Sequence, residues 1–193
     1  MKSEVKIIKE EHRWTSEEKI KWLGYGEWVE EADVVEFEYL GYQGHIVRVV
    51  KREPFAVKEA YFGGHFCGYV KIPETHPLFR KKKECWDADL KCHGGITYSE
   101  SHEEHWIGFD CGHSGDYVPT VEHMRRTDPE HSQMREAFPL PEGFENFSLF
   151  NPVYRNIEYV MESCIDLIDS LINISVTENQ HEDESDFPVG DRR

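Results

Sequence analysis

The sequence predicts an α+β domain, a mostly antiparallel sheet with a long C-terminal amphipathic helix packed on one face. Three observations predict it. Short runs rich in β-formers recur between residues 34 and 110 and are broken by glycine turns. One apolar stripe at helical spacing follows late in the chain, after residue 155. A length of 193 residues with 13% aromatics is enough for one real hydrophobic core and too aromatic for a disordered chain.

Taken in order, Thr15-Ser16-Glu17-Glu18 is a capping box, in which Thr15 caps and Glu18 reaches back to its amide. It predicts a short helix to about Leu23, stopped by Gly24 and Gly26. Val34–Leu40 and His45–Val50 read as strands, with Gly41-Tyr42-Gln43-Gly44 as the hairpin turn between them. Phe66–Ile72 is a third strand, ended by Pro73. Pro73–Lys91, with the basic run Arg80–Lys83, reads as a loop or short helix. Gly95–Ser99 and Trp106–Asp110 are two more strands, joined by a polar turn over Glu100–His105. Tyr117–Phe150 lacks periodicity and reads as a long excursion over the sheet. The helix Arg155–Ile172 carries Ile157, Val160, Met161, Cys164, Ile168, Leu171 and Ile172 on one stripe. The expected organisation is one domain over residues 1–176. An N-terminal helix and hairpin occupy 12–50, a motif core 62–172, and an acidic, disordered tail 177–193.

Composition narrows the function. A formal charge of −16 argues against nonspecific nucleic-acid binding, which needs a basic face to displace counterions. The first residues are charged at once and form no signal peptide, and no apolar run reaches membrane-spanning length. A cytosolic protein with reduced thiols at Cys67, Cys85, Cys92, Cys111 and Cys164 is expected, acting without a membrane.

The densest chemistry lies in two glycine-flanked segments, Cys92–Ser99 and Trp106–Asp116. Both adjoin strand runs, so His93, Asp110, His113 and Asp116 are expected to converge at neighbouring strand ends, with Thr97 or Tyr98 at the wall. Three chemistries fit these residue types. Two imidazoles and two carboxylates (His93, Asp110, His113, Asp116) suit zinc or manganese. No dedicated motif demands a cofactor and none is expected; if one binds, a divalent metal at these four residues is the candidate. The simpler account is that Asp110 and Asp116 fix turns by accepting backbone amides. A nucleophilic reading pairs Cys92, Cys111 or Ser114 with a histidine, though a carboxylate beside Cys111 would raise its thiol pKa. The third reading is a ligand pocket. In it, Gly94, Gly95 and the Gly112–Gly115 turn present backbone amides to an anion, Thr97, Tyr98 and Ser114 add hydroxyls, and His93 and His113 add donors. The run Arg80–Lys83 is a solvated loop or a phosphate contact.

The ordered succession Gly64–Val70, His76-Pro77-Leu78-Phe79, His93-Gly94-Gly95-Ile96-Thr97-Tyr98-Ser99, and Trp106–Asp116, followed by Tyr154-Arg155-Asn156, resembles an uncharacterised family of small bacteriophage and prophage proteins. The resemblance covers about Phe62–Leu171 and implies action in the host cytoplasm, with a counter-defence role by association. The expectation is therefore an accessory protein that binds a small anionic or nucleotide-like ligand and sequesters a host signal. A metal-assisted hydrolase of a phosphate or glycosyl bond at the same residues is the first alternative. An acidic protein–protein inhibitor of a host enzyme is the second, with a host defence protein as a candidate partner.

Overall fold

Strand-forming runs and one long stripe do assemble as sheet and helix. The structure, a computed structural model, describes residues 4–52, 61–81, 90–101, 104–127 and 152–185. Its elements are β1 (Lys6–Glu11), α1 (Ser16–Leu23), a 3-10 turn (Glu27–Val29), β2 (Val34–Tyr39), β3 (Tyr42–Arg52) and β4 (Tyr61–Ile72). After them come β5 (Tyr98–Ser101), β6 (His105–Asp110), α2 (Pro119–Thr127) and α3 (Ile157–Ser185). The six strands run in the order β1-β2-β3-β4-β6-β5, and every neighbouring pair is antiparallel. This is the α+β class that the residue pattern predicts.

Alternation decides which face is buried. Val35, Phe37, Ile46, Phe66, Val70, Ile107 and Phe109 point to one side and pack with Val160, Cys164, Leu167, Ile168 and Leu171 of α3. Each such side chain contributes about 1.5–3 kcal/mol on leaving water. Gly68 sets the closeness of the two layers, since a Cβ there would lie 2.7 Å from Cys164 Sγ and 2.6 Å from Phe109 Cζ.

Several boundaries differ from the expectation. The Thr15 capping box and the Gly24 stop form as read. The hairpin turn, however, is Leu40-Gly41, with φ of 50° and 82°, and β3 begins at Tyr42. That two-residue, positive-φ turn matches the strand twist. Gly44 belongs to β3, where its missing Cβ would sit 2.0 Å from the Phe37 ring. β1 was not legible, and β3 and β4 exceed the runs that suggested them. β5 begins at Tyr98, because Gly94 and Gly95 take φ of 63° and 83° and turn the chain instead. Within the expected excursion, Pro119–Thr127 is helical, and Thr120 Oγ1 donates to Gly63 O over 2.9 Å. The helix α3 continues through Thr177 to Ser185. Lys82, Lys83, Cys85 and the rest of the excursion lie outside the described residues.

The N-terminal third is tied to the sheet by buried charges. Asp33 Oδ1 meets Lys19 Nζ and Arg48 Nε, each at 3.0 Å, and all three side chains are within 1% of full burial. Arg48 also donates to Gly64 O at 2.9 Å, to the Tyr154 hydroxyl at 2.8 Å, and to Glu31 Oε2 at 2.8 Å. Glu31 Oε1 accepts the Ile157 amide at 3.2 Å, which caps the first turn of α3. Residues 19–48 therefore fix where α3 starts.

Candidate functional site

Asp116 and α3 are brought together by a small parallel bridge. Tyr117 N–H donates to Val153 O and Val153 N–H to Gly115 O, each at 3.0 Å. The residues before α3 thus run beside the 112–116 turn and bring Arg155 to Asp116. Arg155 Nε–H donates to Asp116 Oδ1 at 3.0 Å, and the guanidinium lies 4.5 Å over the Tyr159 ring. One turn later, Ser163 Oγ accepts the His93 backbone N–H at 2.8 Å, pinning the His93 segment to the helix.

The His93 ring is held from both sides. Its Nε2 is 2.8 Å from Asp116 Oδ2, and its Nδ1 is 2.9 Å from the Tyr159 hydroxyl. With Asp116 ionised, Nε2–H donates to the carboxylate and the Tyr159 O–H donates to Nδ1. Asp116 is almost wholly buried. Burial alone would raise its pKa, but bonds from His93 and Arg155 outweigh it and hold the carboxyl below its usual value. The His113 amide donates to the same Oδ2 at 3.1 Å.

His113 closes the cluster on its outer side. Its Nδ1 lies 3.7 Å from Asp116 Oδ2 and 3.9 Å from Asp110 Oδ1, and among the described residues it makes no hydrogen bond. Gly94 explains how the ring fits, since a Cβ at that position would lie 2.4 Å from His113 Cε1. Gly94 therefore makes room for an imidazole, a role different from the anion nest expected of it.

Asp110 behaves otherwise. It follows Phe109, which faces the core, so it starts on the sheet face opposite α3 and meets the cluster only at its rim. Burial raises its pKa, but the Gly112 amide (3.0 Å from Oδ1) and the Thr97 hydroxyl bring it net below the usual carboxylate range. This is the turn-fixing role for Asp110, and it places Thr97 at the same rim. Tyr98 is not at the site. It pairs with Gly108 on that opposite face, stacks edge-on against Tyr69 with centroids 5.2 Å apart, and donates to Glu100. Ser114 is exposed, and among the described residues it bonds neither histidine. Gly95 borders the groove described below.

Cys67, Cys111 and Cys164 are poor nucleophiles. Cys111 is 1% exposed, and burial drives its thiol far up, as it does Cys164, while Cys67 is raised to about 11. They remain protonated at neutral pH.

Residues that were not among the expected site residues complete the arrangement: Tyr159, Ser163 and His65, the last within the Gly64–Val70 motif. His65 of β4 stands behind Gly112, 3.3 Å from where a Cβ there would sit, and burial lowers its pKa. Between the 90–95 segment and α3 lies a groove of 540 Å³, walled by Lys91, His93, Gly95, Tyr159, Glu162 and Asp166.

His93, His113 and Asp116 each offer one donor atom, and these atoms lie within 4.8 Å of one another. Tetrahedral zinc with bonds near 2.0–2.1 Å places its ligand atoms about 3.3 Å apart. The observed separations from Asp116 Oδ2, 2.8 Å to His93 and 3.7 Å to His113, bracket that spacing. The group could therefore hold a divalent cation. Tyr159 on His93 Nδ1 and Arg155 on Asp116 Oδ1 are the outer partners such ligands use. Compared with protein-family models, curated proteins and solved structures, the chain matches none.

Proposed function

We propose that this chain is a metal-assisted hydrolase of a small anionic, nucleotide-like ligand, with His93, His113 and Asp116 as its ligand set. One observation carries the reading. His113 Nδ1 is directed at a carboxylate already fixed by Arg155, without a hydrogen bond of its own among the described residues. Three protein donors beside an open groove leave coordination positions for water and substrate, the pattern of catalytic rather than closed structural sites. A divalent cation held there supplies a Lewis acid and lowers the pKa of water.

The chain's own residues do the rest. Asp116 and Arg155 set the charge, while Tyr159 sets the tautomer of His93. Loading a cation on Nε2 requires the His93 proton to move from Nε2 to Nδ1, where the N–H donates a hydrogen bond to the Tyr159 oxygen. The groove along α3 receives the body of the substrate. The motif resemblance supports a phage setting in a host cytoplasm, in which a defence signal is a natural substrate.

Elemental analysis of protein purified and loaded with zinc or manganese tests the ligand set. About one ion per chain is expected, and it is lost in His93→Ala and in His113→Ala. Incubation with candidate nucleotides, followed by chromatography of what is released on heating, tests turnover. Converted ligand supports the proposal, whereas ligand returned intact overturns it in favour of sequestration.

A further inference from the structure

Arg155, like Arg48, is bound to a buried aspartate, but in a separate network, and it differs from Arg48 in the donors it leaves open. All three Arg48 nitrogens are used, on Asp33, Gly64, Tyr154 and Glu31. Arg155 uses Nε on Asp116 and its face on Tyr159, yet its side chain remains 25% exposed. Among the described residues its two terminal amines make no hydrogen bond. The guanidinium fork matches the geometry of an oxyanion such as phosphate.

The nearby start of α3 does not fill this role. Its Ile157 amide is taken by Glu31, and its Tyr159 amide by Asn156 Oδ1 at 3.0 Å. We infer that Arg155 is a substrate-binding residue that grips an oxyanion beside the His93–His113–Asp116 centre. We also infer that the substrate carries a single such head, of phosphate-ester type. The inference rests on the metal-centre reading above for the second contact to that head. With a divalent cation on one Asp116 oxygen and Arg155 on the other, the locus is net positive inside an acidic chain.

Among the described residues the groove beyond it is not positive. Glu162 and Asp166, one turn apart on α3, face Lys91 across it, the one Lys or Arg among the described residues of its wall. A second phosphate placed there would meet two carboxylates, whereas a body bearing hydroxyl or amine donors would be accepted. The head is thus fixed at Arg155, and a polyphosphate gains nothing from its extra charge.

Calorimetric titration of zinc-loaded protein with inorganic phosphate and with tripolyphosphate decides this. Phosphate should bind the parent and bind Arg155→Gln about tenfold to a hundredfold more weakly at unchanged zinc content. Tripolyphosphate should bind no more tightly than phosphate. Unchanged phosphate affinity in Arg155→Gln overturns the role of Arg155, and tripolyphosphate binding more than tenfold tighter overturns the single-head claim. If Arg155→Gln sheds its zinc, Arg155→Lys decides, because it keeps the charge but not the fork. Weakened phosphate binding at full zinc then supports the inference, and unchanged binding overturns it. A parent that takes up no zinc refutes the metal reading alone. Phosphate binding by that metal-free protein, if lost in Arg155→Gln, still supports Arg155, while no phosphate binding in any state overturns it.

Discussion

Two buried aspartates organise this molecule, and their surroundings differ in one respect. Asp33 sits between Lys19 and Arg48 with every partner enclosed. Asp116 sits between Arg155 and two histidines, and those partners stay partly exposed, with 25% of the Arg155 and 34% of the His113 side chain in solvent. Both carboxylates are neutralised, so charge balance does not separate them. Saturation does. A network whose donors are all used within the fold can only hold the fold, whereas one with donors to spare at the surface can hold something else.

The contrast predicts a graded series. Asp33→Ala should have the largest effect, because it leaves Lys19 and Arg48 as buried cations without their shared acceptor. A loss of about 3–5 kcal/mol in urea unfolding is expected. A loss below about 1 kcal/mol would mean that the enclosed network is not scaffolding and would erase the comparison.

Asp116→Asn comes next, at about 1–3 kcal/mol. The two aspartates of the turn do not repel into instability, since Arg155 and the histidines compensate Asp116, and the pKa of each is lowered. A carboxylate lowered in the folded state stabilises fully above its unfolded value near 3.9 and loses that contribution as pH falls through the folded value. Acidification below about pH 4 should therefore destabilise the parent more steeply than Asp116→Asn. Parallel pH profiles would count against the compensated state described for Asp116.

The smallest effects on the fold come from a pair of substitutions that separate site from surface. Gly94→Ala should cost about 1 kcal/mol for its positive φ and displace His113. Zinc affinity should fall about tenfold to a hundredfold, as when a metal ligand loses its support. Tyr98→Phe should leave metal and phosphate binding unchanged, because the ring faces away from the cluster. Zinc titration with a competing chelator reads both, and a Tyr98 effect as large as that of Gly94 would contradict the placement.

The sheet and its helix were legible because periodicity and glycine breaks act locally, as in Phe66–Ile72 and in the stripe from Ile157 to Ile172. β1 was not, since Lys6–Glu11 is largely exposed and is defined by its pairing with β2 rather than by alternation. His93, His113 and Asp116 could be found because polar side chains stood among glycines. Tyr98 was misplaced by the same rule, since strand alternation sends it to the other face of the sheet. Arg155, Tyr159 and Ser163 lie 39 to 70 residues from their partners in sequence, a distance that motif reading does not bridge. A signal was present in their spacing of four, which continues a polar seam beside the apolar stripe of α3.

The cap that Glu31 places on Ile157 has a consequence for modularity. Residues 62–172 look like a self-sufficient cassette, since every residue of the proposed centre falls within them. Yet the register of the helix that carries Tyr159 and Ser163 is set by a carboxylate and a guanidinium from outside that span. Transplanted onto another scaffold, the cassette would bring the reactive groups and leave behind the part that aims them. Variation of the N-terminal third is thus a route by which evolution can retune the centre without touching any residue in it.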